Sequence, residues 1–204
     1  ANKHGAHDLQ EMVSRYGLAD IKHNVVRLQQ AAESKVRAAI ASLGKTECEF
    51  VDYLETPTGE SVPIQVAITF AQEPDRPAAV FDFTGTAPVV AGNLNANPAI
   101  VTAAVLYVLR LLVEEEIPLN EGVLRAVQIV LPECLLNPSP AEQPLDSPAV
   151  VAGNVETSQR VVDTLLGALD IAGASQGTMN NLLFGNDDFV YYETICGGSG
   201  ATAS

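Results

Sequence analysis

Basic residues are scarce in this 204-residue chain. Eleven Lys and Arg stand against 25 Asp and Glu, leaving a net charge of −14 at pH 7 and a pI near 4.4. So acidic a surface repels phosphate backbones, which argues against a nucleic-acid partner. Cysteine is scarce too. Cys48, Cys134 and Cys196 lie far apart, are odd in number and form no CxxC pair. That speaks against a disulfide framework or zinc knuckle and for reduced thiols in a cytoplasmic protein. Cys196 sits beside a Gly-rich tail and is a candidate nucleophile. No His is near it in sequence, so a base would have to arrive through the fold.

Long apolar runs are also missing. The longest, Ala99 to Val113, is interrupted by Thr102 and Arg110, and is too short and too polar to span a membrane. No basic amphipathic stretch suits a membrane surface. Charge, His and Gln are scattered through the opening residues, where a signal peptide would need an apolar stretch. There is no internal repeat, low-complexity tract, Walker loop, dinucleotide fingerprint or Ser-His-Asp set.

What is present is the composition of a globular protein: 47% apolar and 18% charged residues, in a chain long enough to bury a core. Leu9, Met12, Val13 and Tyr16, then Ile21, Val25, Leu28, Ala32, Val36 and Ile40, recur at helical spacing. They predict a helical segment over 8–42, interrupted at Gly17 and stopped at Gly44. Cys48–Leu54, Val62–Phe70 and Ala78–Phe83 are rich in alternating or β-branched residues and predict an antiparallel meander. Asn97-Pro98 reads as an N-cap and first-turn Pro of a buried helix running to about Glu115. A further strand is expected over Leu124–Leu131. Five Pro make 132–148 an irregular connection. Asn154 is expected to cap a second long helix ending before Gly173, and Phe189–Ile195 to be a last strand. The expected class is α+β, an antiparallel or mixed sheet packed with two long buried helices. An N-terminal helical segment (1–44) precedes an α+β core (45–204).

Several segments are too polar to be explained by packing. FDFTGTAP (Phe81 to Pro88) places Asp82 at a strand end, where it could serve a site or simply close a turn. GNLNANPA (Gly92 to Ala99) and GNVETSQR (Gly153 to Arg160) each lead into a helix, whose free N–H groups attract an anion or carbonyl oxygen. Arg160 could pair with Glu156 at i,i+4 or reach a carboxylate ligand. Gln176, Thr178, Asn180 and Asn181 crowd the run SQGTMNNLLFG, which also carries Gly177 and Gly185. His4, His7 and Asp8 would share a helix face, but no third ligand is evident and no metal site is assigned. Gly197 to Gly200 (GGSG) resembles a phosphate loop only weakly, since no Lys follows.

These segments, with PLNEG (Pro118 to Gly122), LLNPSP (Leu135 to Pro140), ASQGTMNNLLFGN and YYETICGGSGA, resemble in order the hydantoinase B / 5-oxoprolinase family. NKHGAHDLQEMVSRYG is similar to that family's helical entry segment, so the resemblance spans nearly the whole chain. It implies a B-type subunit, or half, of an ATP-dependent enzyme opening cyclic amides such as hydantoin or 5-oxoproline. ATP with Mg2+ would be handled by an A-type partner that phosphorylates the amide or enolate oxygen, and the B-type part would complete the reaction. Related acetone and acetophenone carboxylases share the architecture, so a ketone carboxylase is the alternative. A non-catalytic piece forming an interface with the A-type subunit is another.

Family members are longer at both ends. The chain is therefore expected to be a fragment that is inactive alone and part of an oligomer. Any divalent metal would belong to an upstream region and none to these residues. The resemblance and the polar clustering together nominate Asn154, Thr157, Arg160, Gln176, Asn180 and Asn181 for substrate binding. Glu156, Asp82 and Glu193 are the catalytic candidates.

Overall fold

The computed structural model describes residues 2–56, 58–71, 73, 75–117, 120–195 and 197–198. Cys196, Pro57 and Pro118 lie outside them, as do Ser199 and Gly200 of the GGSG tail. Helix α1 (Asn2–Tyr16) and helix α2 (Leu18–Ser42) are separated by one residue, Gly17. Gly17 has φ 84°, a conformation that side chains with a Cβ rarely adopt, so the helix breaks there. Ala32, Val36 and Ile40 recur every four residues and are buried, so the second half of α2 packs into the core. Gly44, at φ 62°, ends the helix.

The main sheet has the order β1-β2-β3-β4: β1 (Glu47–Glu55), β2 (Ser61–Phe70), β3 (Ala79–Asp82) and β4 (Val127–Val130). The first three strands form the expected antiparallel meander, and β3 and β4 pair in parallel. The sheet is therefore mixed. A parallel pair needs a crossover, and helix α3 (Pro98–Leu112) and the one-turn helix α4 (Gly122–Arg125) lie within it.

On β2, Val62, Ile64, Val66 and Ile68 are all buried. Their register partners on β1 are Leu54, Asp52, Phe50 and Cys48, so Asp52 shares this covered face. Helix α5 (Glu156–Leu169) packs across β1 and β2 and beside α3. The interior is one cluster built from α2, the sheet, α3 and α5, with Leu135 and Leu136 of the irregular connection. This is the α+β arrangement with two core helices. Fully burying one Leu- or Phe-sized side chain contributes about 1.5–3 kcal/mol. Phe81, Phe83, Ile64 and Leu165, each at most 1% exposed, therefore anchor the layers.

Four local expectations are corrected. Helix α3 stops at Leu112, where Val113 turns extended; the acidic run Glu114–Glu116 does not continue it. Strand β4 begins only at Val127, because 122–125 close into a helical turn. Asn154 belongs to a short 3-10 turn, Ala152–Asn154, and Val155 holds the N-cap of α5 with no side-chain bond. Lastly, Asn180–Gly185 is a strand, β5, which forms a two-stranded hairpin with β6 (Val190–Ile195). Asn97 does cap α3, its side chain accepting the Ala99 and Ile100 N–H groups.

Candidate functional site

Much of the polar density builds the fold. The Asp82 carboxylate accepts the Thr84 N–H at 2.8 Å. The Thr86 hydroxyl bonds both the N–H and the carbonyl of Gln65. Asp82 pairs with Ala67 while Phe81 pairs with Ile68, so Asp82 faces away from α5. Asn95 is fully buried and saturated. Its Oδ1 accepts the Val90 N–H, and its Nδ2 donates to the Val90, Gly92 and Ala149 carbonyls. Burial without these partners would cost a few kcal/mol.

The segments GNLNANPA and GNVETSQR meet at this point. A Cβ on Gly153 would lie 2.3 Å from the Asn95 carbonyl oxygen and 2.8 Å from the Ala96 Cα. Only glycine permits that approach. The Thr157 hydroxyl, completely buried, donates to the Leu94 carbonyl. Thr157 thus faces the interior and cannot touch a ligand in this arrangement, which corrects its nomination. The contacts place the start of α5 against the start of α3, with both sets of free helix N–H groups at one end of the bundle.

One face of α5 is then stitched to the segment 174–178. The Glu156 Oε1 accepts the Thr178 hydroxyl at 2.8 Å. The Asp163 carboxylate, 4% exposed, accepts the Ser175 N–H at 3.1 Å and its hydroxyl at 3.3 Å. Between them, Arg160 Nη1 lies 3.0 Å from Asp52 Oδ2 and 4.0 Å from Asp163 Oδ2. Its Nη2 is the atom nearest to where a Gly177 Cβ would be, at 2.8 Å, and Gly177 adopts φ +75°. The i, i+4, i+7 spacing of Glu156, Arg160 and Asp163 puts all three on one helical face. The Glu156–Arg160 pair, one of the two alternatives for Arg160, does not form: Glu156 turns to Thr178 and Arg160 to Asp52, with Asp163 nearby. Arg160 Nε is buried with no hydrogen-bond partner among the described residues.

Two openings flank Asn154 and Gln159. A groove of about 470 Å³ between α3 and α5 is lined mainly by apolar residues including Ile100, Ala104, Tyr107, Val162 and Leu166, and ends at Asn154, Asp163 and Ser175. A second cleft of about 280 Å³ is bounded by Asn154, Gln159, Thr178, Met179 and Thr194. An apolar cavity with a few convergent polar groups is the usual form of a small-molecule site.

The structure therefore groups Asn154, Glu156, Arg160 and the 174–178 segment with Gln176. The hairpin residues divide. Asn181 accepts the Tyr192 and Thr194 hydroxyls on one face. Glu193, on the other, accepts the Tyr191 hydroxyl at 2.6 Å, and this bond raises the Tyr191 pKa. Asn180 is exposed at the hairpin base, opposite Ile195. Asp52, Asp163, Ser175 and Gln159 were not nominated from the sequence. Asp163 was detectable as a carboxylate seven residues after Glu156 on the same face. Asp52 required strand register.

Burial raises the pKa of Cys134 and, against the opposing charge of Lys45, of Cys48; neither thiol is poised as a nucleophile. Cys196 lies outside the described residues. Among the described residues no group of three His, Cys, Asp or Glu could hold a metal ion, and His7 instead lies 3.5 Å from Glu11. No described helix is long and apolar enough to cross a membrane.

The family model described as Hydantoinase B/oxoprolinase matches residues 1–204. 5-Oxoprolinase 1 of Arabidopsis thaliana is 41% identical over 98% of this chain and 16% of that protein. The 5-oxoprolinase of Saccharomyces cerevisiae is 38% identical over the full chain and 16% of that protein. The chain thus spans about a sixth of the length of these relatives. The crystal structure of the ATP-dependent caprolactamase from Pseudomonas jessenii matches with a TM-score of 0.68 and 19% identity, over 94% of this chain and 34% of that one, a likeness of fold.

Proposed function

The chain belongs to the hydantoinase B/oxoprolinase family, and on that premise we propose that it is part of the ring-opening half of an ATP-dependent enzyme acting on cyclic amides. The observation that carries this is the convergence of Asn154, Gln159 and Thr178 around one cleft beside the apolar α3–α5 groove. A lactam has the same two parts: a polar amide and apolar ring carbons. In this reading Asn154, Gln159 and Gln176 hydrogen-bond the amide. The groove takes the ring carbons and excludes water around them. Glu156, held by Thr178, accepts a proton from the attacking water and returns it to the leaving ring nitrogen as the carbon–nitrogen bond breaks. Arg160, fixed by Asp52 and Asp163, is a positioning residue for the 174–178 segment. Asn180 follows Met179, a residue of the cleft wall, and in this reading borders the cleft. Asp82 and the hairpin face bearing Glu193 stand outside this grouping.

In this reading ATP with Mg2+ belongs to an A-type partner subunit or domain, and no step proposed for the residues above passes through them. An oligomeric, cytoplasmic assembly fits the reading, as does treating 1–44 as a segment distinct from the 45–204 core.

The test uses the complete protein with its A-type partner, supplied with ATP and either 5-oxoproline or hydantoin. Ring opening that depends on both proteins supports the proposal. Incorporation of labelled bicarbonate into a ketone, without ring opening, would replace it with the carboxylase reading.

A further inference from the structure

Helix α5 ends at Leu169, and Asp170 takes the left-handed conformation at φ 59°. The Ile171 N–H closes that end by donating to the Leu166 carbonyl, and the chain turns back along the helix. Three residues of α5 then meet three of the returning segment in reverse order. Asp163 holds Ser175, Arg160 lies against Gly177, and Glu156 accepts the Thr178 hydroxyl. The pairing is a ladder of three rungs along one helical face.

Two rungs fix its register. The Asp163 carboxylate is almost fully buried, which a carboxylate tolerates only with partners. It takes both donors of Ser175, the N–H at 3.1 Å and the hydroxyl at 3.3 Å. An apolar side chain would fill the same space without dictating which residue stands opposite. The Ser175 hydroxyl in turn accepts the Gly177 N–H at 3.3 Å. At Gly177, φ is +75°, and a Cβ would lie 2.8 Å from Arg160 Nη2. Both exclude a side chain there, and Asp52 keeps the guanidinium from swinging away. Slipping the segment by one residue would bring Gln176 or Thr178 to that spot and part Asp163 from its donors.

The third rung is the one at the cleft. We propose that Asp163 and Ser175 are positioning residues for Glu156. They set where Thr178 stands, and the Thr178 hydroxyl sets the rotation of the Glu156 carboxylate. Asp163 is seven residues from Glu156, about 10 Å along the helix, so it acts through the segment and not on the reacting atoms. Glu156 is the proton acceptor only in the catalytic reading above, on which this inference rests. That reading by itself requires nothing of Asp163 or Ser175.

The test uses the complete enzyme with its A-type partner, ATP and the cyclic amide it opens, 5-oxoproline or hydantoin. Ser175 is exposed, so Ser175→Ala keeps the fold, and Asp163→Ala is compared with it after thermal denaturation confirms that both are folded. Each is expected to lower kcat by about tenfold with KM unchanged, because a mis-set proton acceptor weakens only the transition state. Ser175→Thr, which keeps the hydroxyl, returns kcat to near the parent. Thr178→Val lowers kcat as well. Combining it with Ser175→Ala costs no more than the larger single loss, since both act through one bond. Parental kcat in Ser175→Ala, a loss that Ser175→Thr does not recover, or a double variant whose losses multiply overturns the inference. If Glu156→Gln and Thr178→Val still lower kcat in that case, the catalytic reading stands without it. Parental kcat in Glu156→Gln overturns that reading and the inference together.

Discussion

Arg160 on α5 and Asp52 on β1 are 108 residues apart and meet at 3.0 Å on the covered face of the sheet. Their side chains are 22% and 21% exposed. Removing Asp52 leaves the half-buried Arg160 with only the longer contact to Asp163, at 4.0 Å. Asp52→Ala is expected to lower unfolding free energy by about 1–3 kcal/mol, an intermediate value because water still reaches the pair. Replacing both, Asp52→Leu with Arg160→Met, should recover most of the loss. Urea unfolding of the two variants beside the parent checks both expectations.

The Thr157–Leu94 bond joins the two helix starts. Thr157→Val keeps the shape but leaves the Leu94 carbonyl without its buried donor, at a cost of about 1–3 kcal/mol. Thermal denaturation should show this drop. Ser158→Ala, at a half-buried neighbour whose hydroxyl bonds the Asn154 and Val155 carbonyls just before it, should be close to neutral.

Gly153→Ala forces a Cβ to 2.3 Å from a backbone oxygen. The neighbour is main chain and cannot swing aside, so the helix starts must part. A loss of about 1–3 kcal/mol is expected, together with altered amide chemical shifts at Asn95 and Ala96. Gly198→Ala, which meets nothing within 4 Å, is the control.

Much of this was legible in the sequence, and the exceptions share a cause. Helix boundaries at Gly17 and Gly44, the Asn97 cap and the three-strand meander follow from local chemistry, so local reading finds them. The parallel placement of β4 depends on a long crossover and left no local trace. Strand β5 was obscured because Asn180 and Asn181 lack strand propensity; cross-strand bonds from Tyr192 and Thr194 compensate. Thr157 looked available because it sits in a polar segment, yet tertiary packing turns its hydroxyl to Leu94. The sequence offered Arg160 either Glu156 or a carboxylate ligand; its partner in the fold, Asp52, could be identified only from register.

Thiol reactivity should follow burial. In a Cys196→Ser background, Cys48 is expected to alkylate slowly and Cys134 only on unfolding. Burial raises both pKa values and so holds both as thiols near neutral pH. Mass spectrometry after timed iodoacetamide exposure distinguishes the two.

The Tyr191–Glu193 bond predicts a pH dependence with a definite sign. Glu193 raises the Tyr191 pKa, because ionising the phenol removes the proton that it donates to that carboxylate. Its stabilising effect is fully present below the unfolded-state pKa of Tyr and is lost as pH rises through the folded value. Phenolate absorbance should show the Tyr191 titration move to lower pH in Glu193→Gln.

The decisive measurement is steady-state ring opening by the complete enzyme, with its A-type partner and ATP, in Asn154→Ala and Asp82→Asn variants of matched thermal stability. The account predicts that Asn154→Ala loses about tenfold or more in kcat/KM while Asp82→Asn stays near the parent. An unaffected Asn154→Ala with a crippled Asp82→Asn would contradict it and move the chemistry to the opposite face of the sheet.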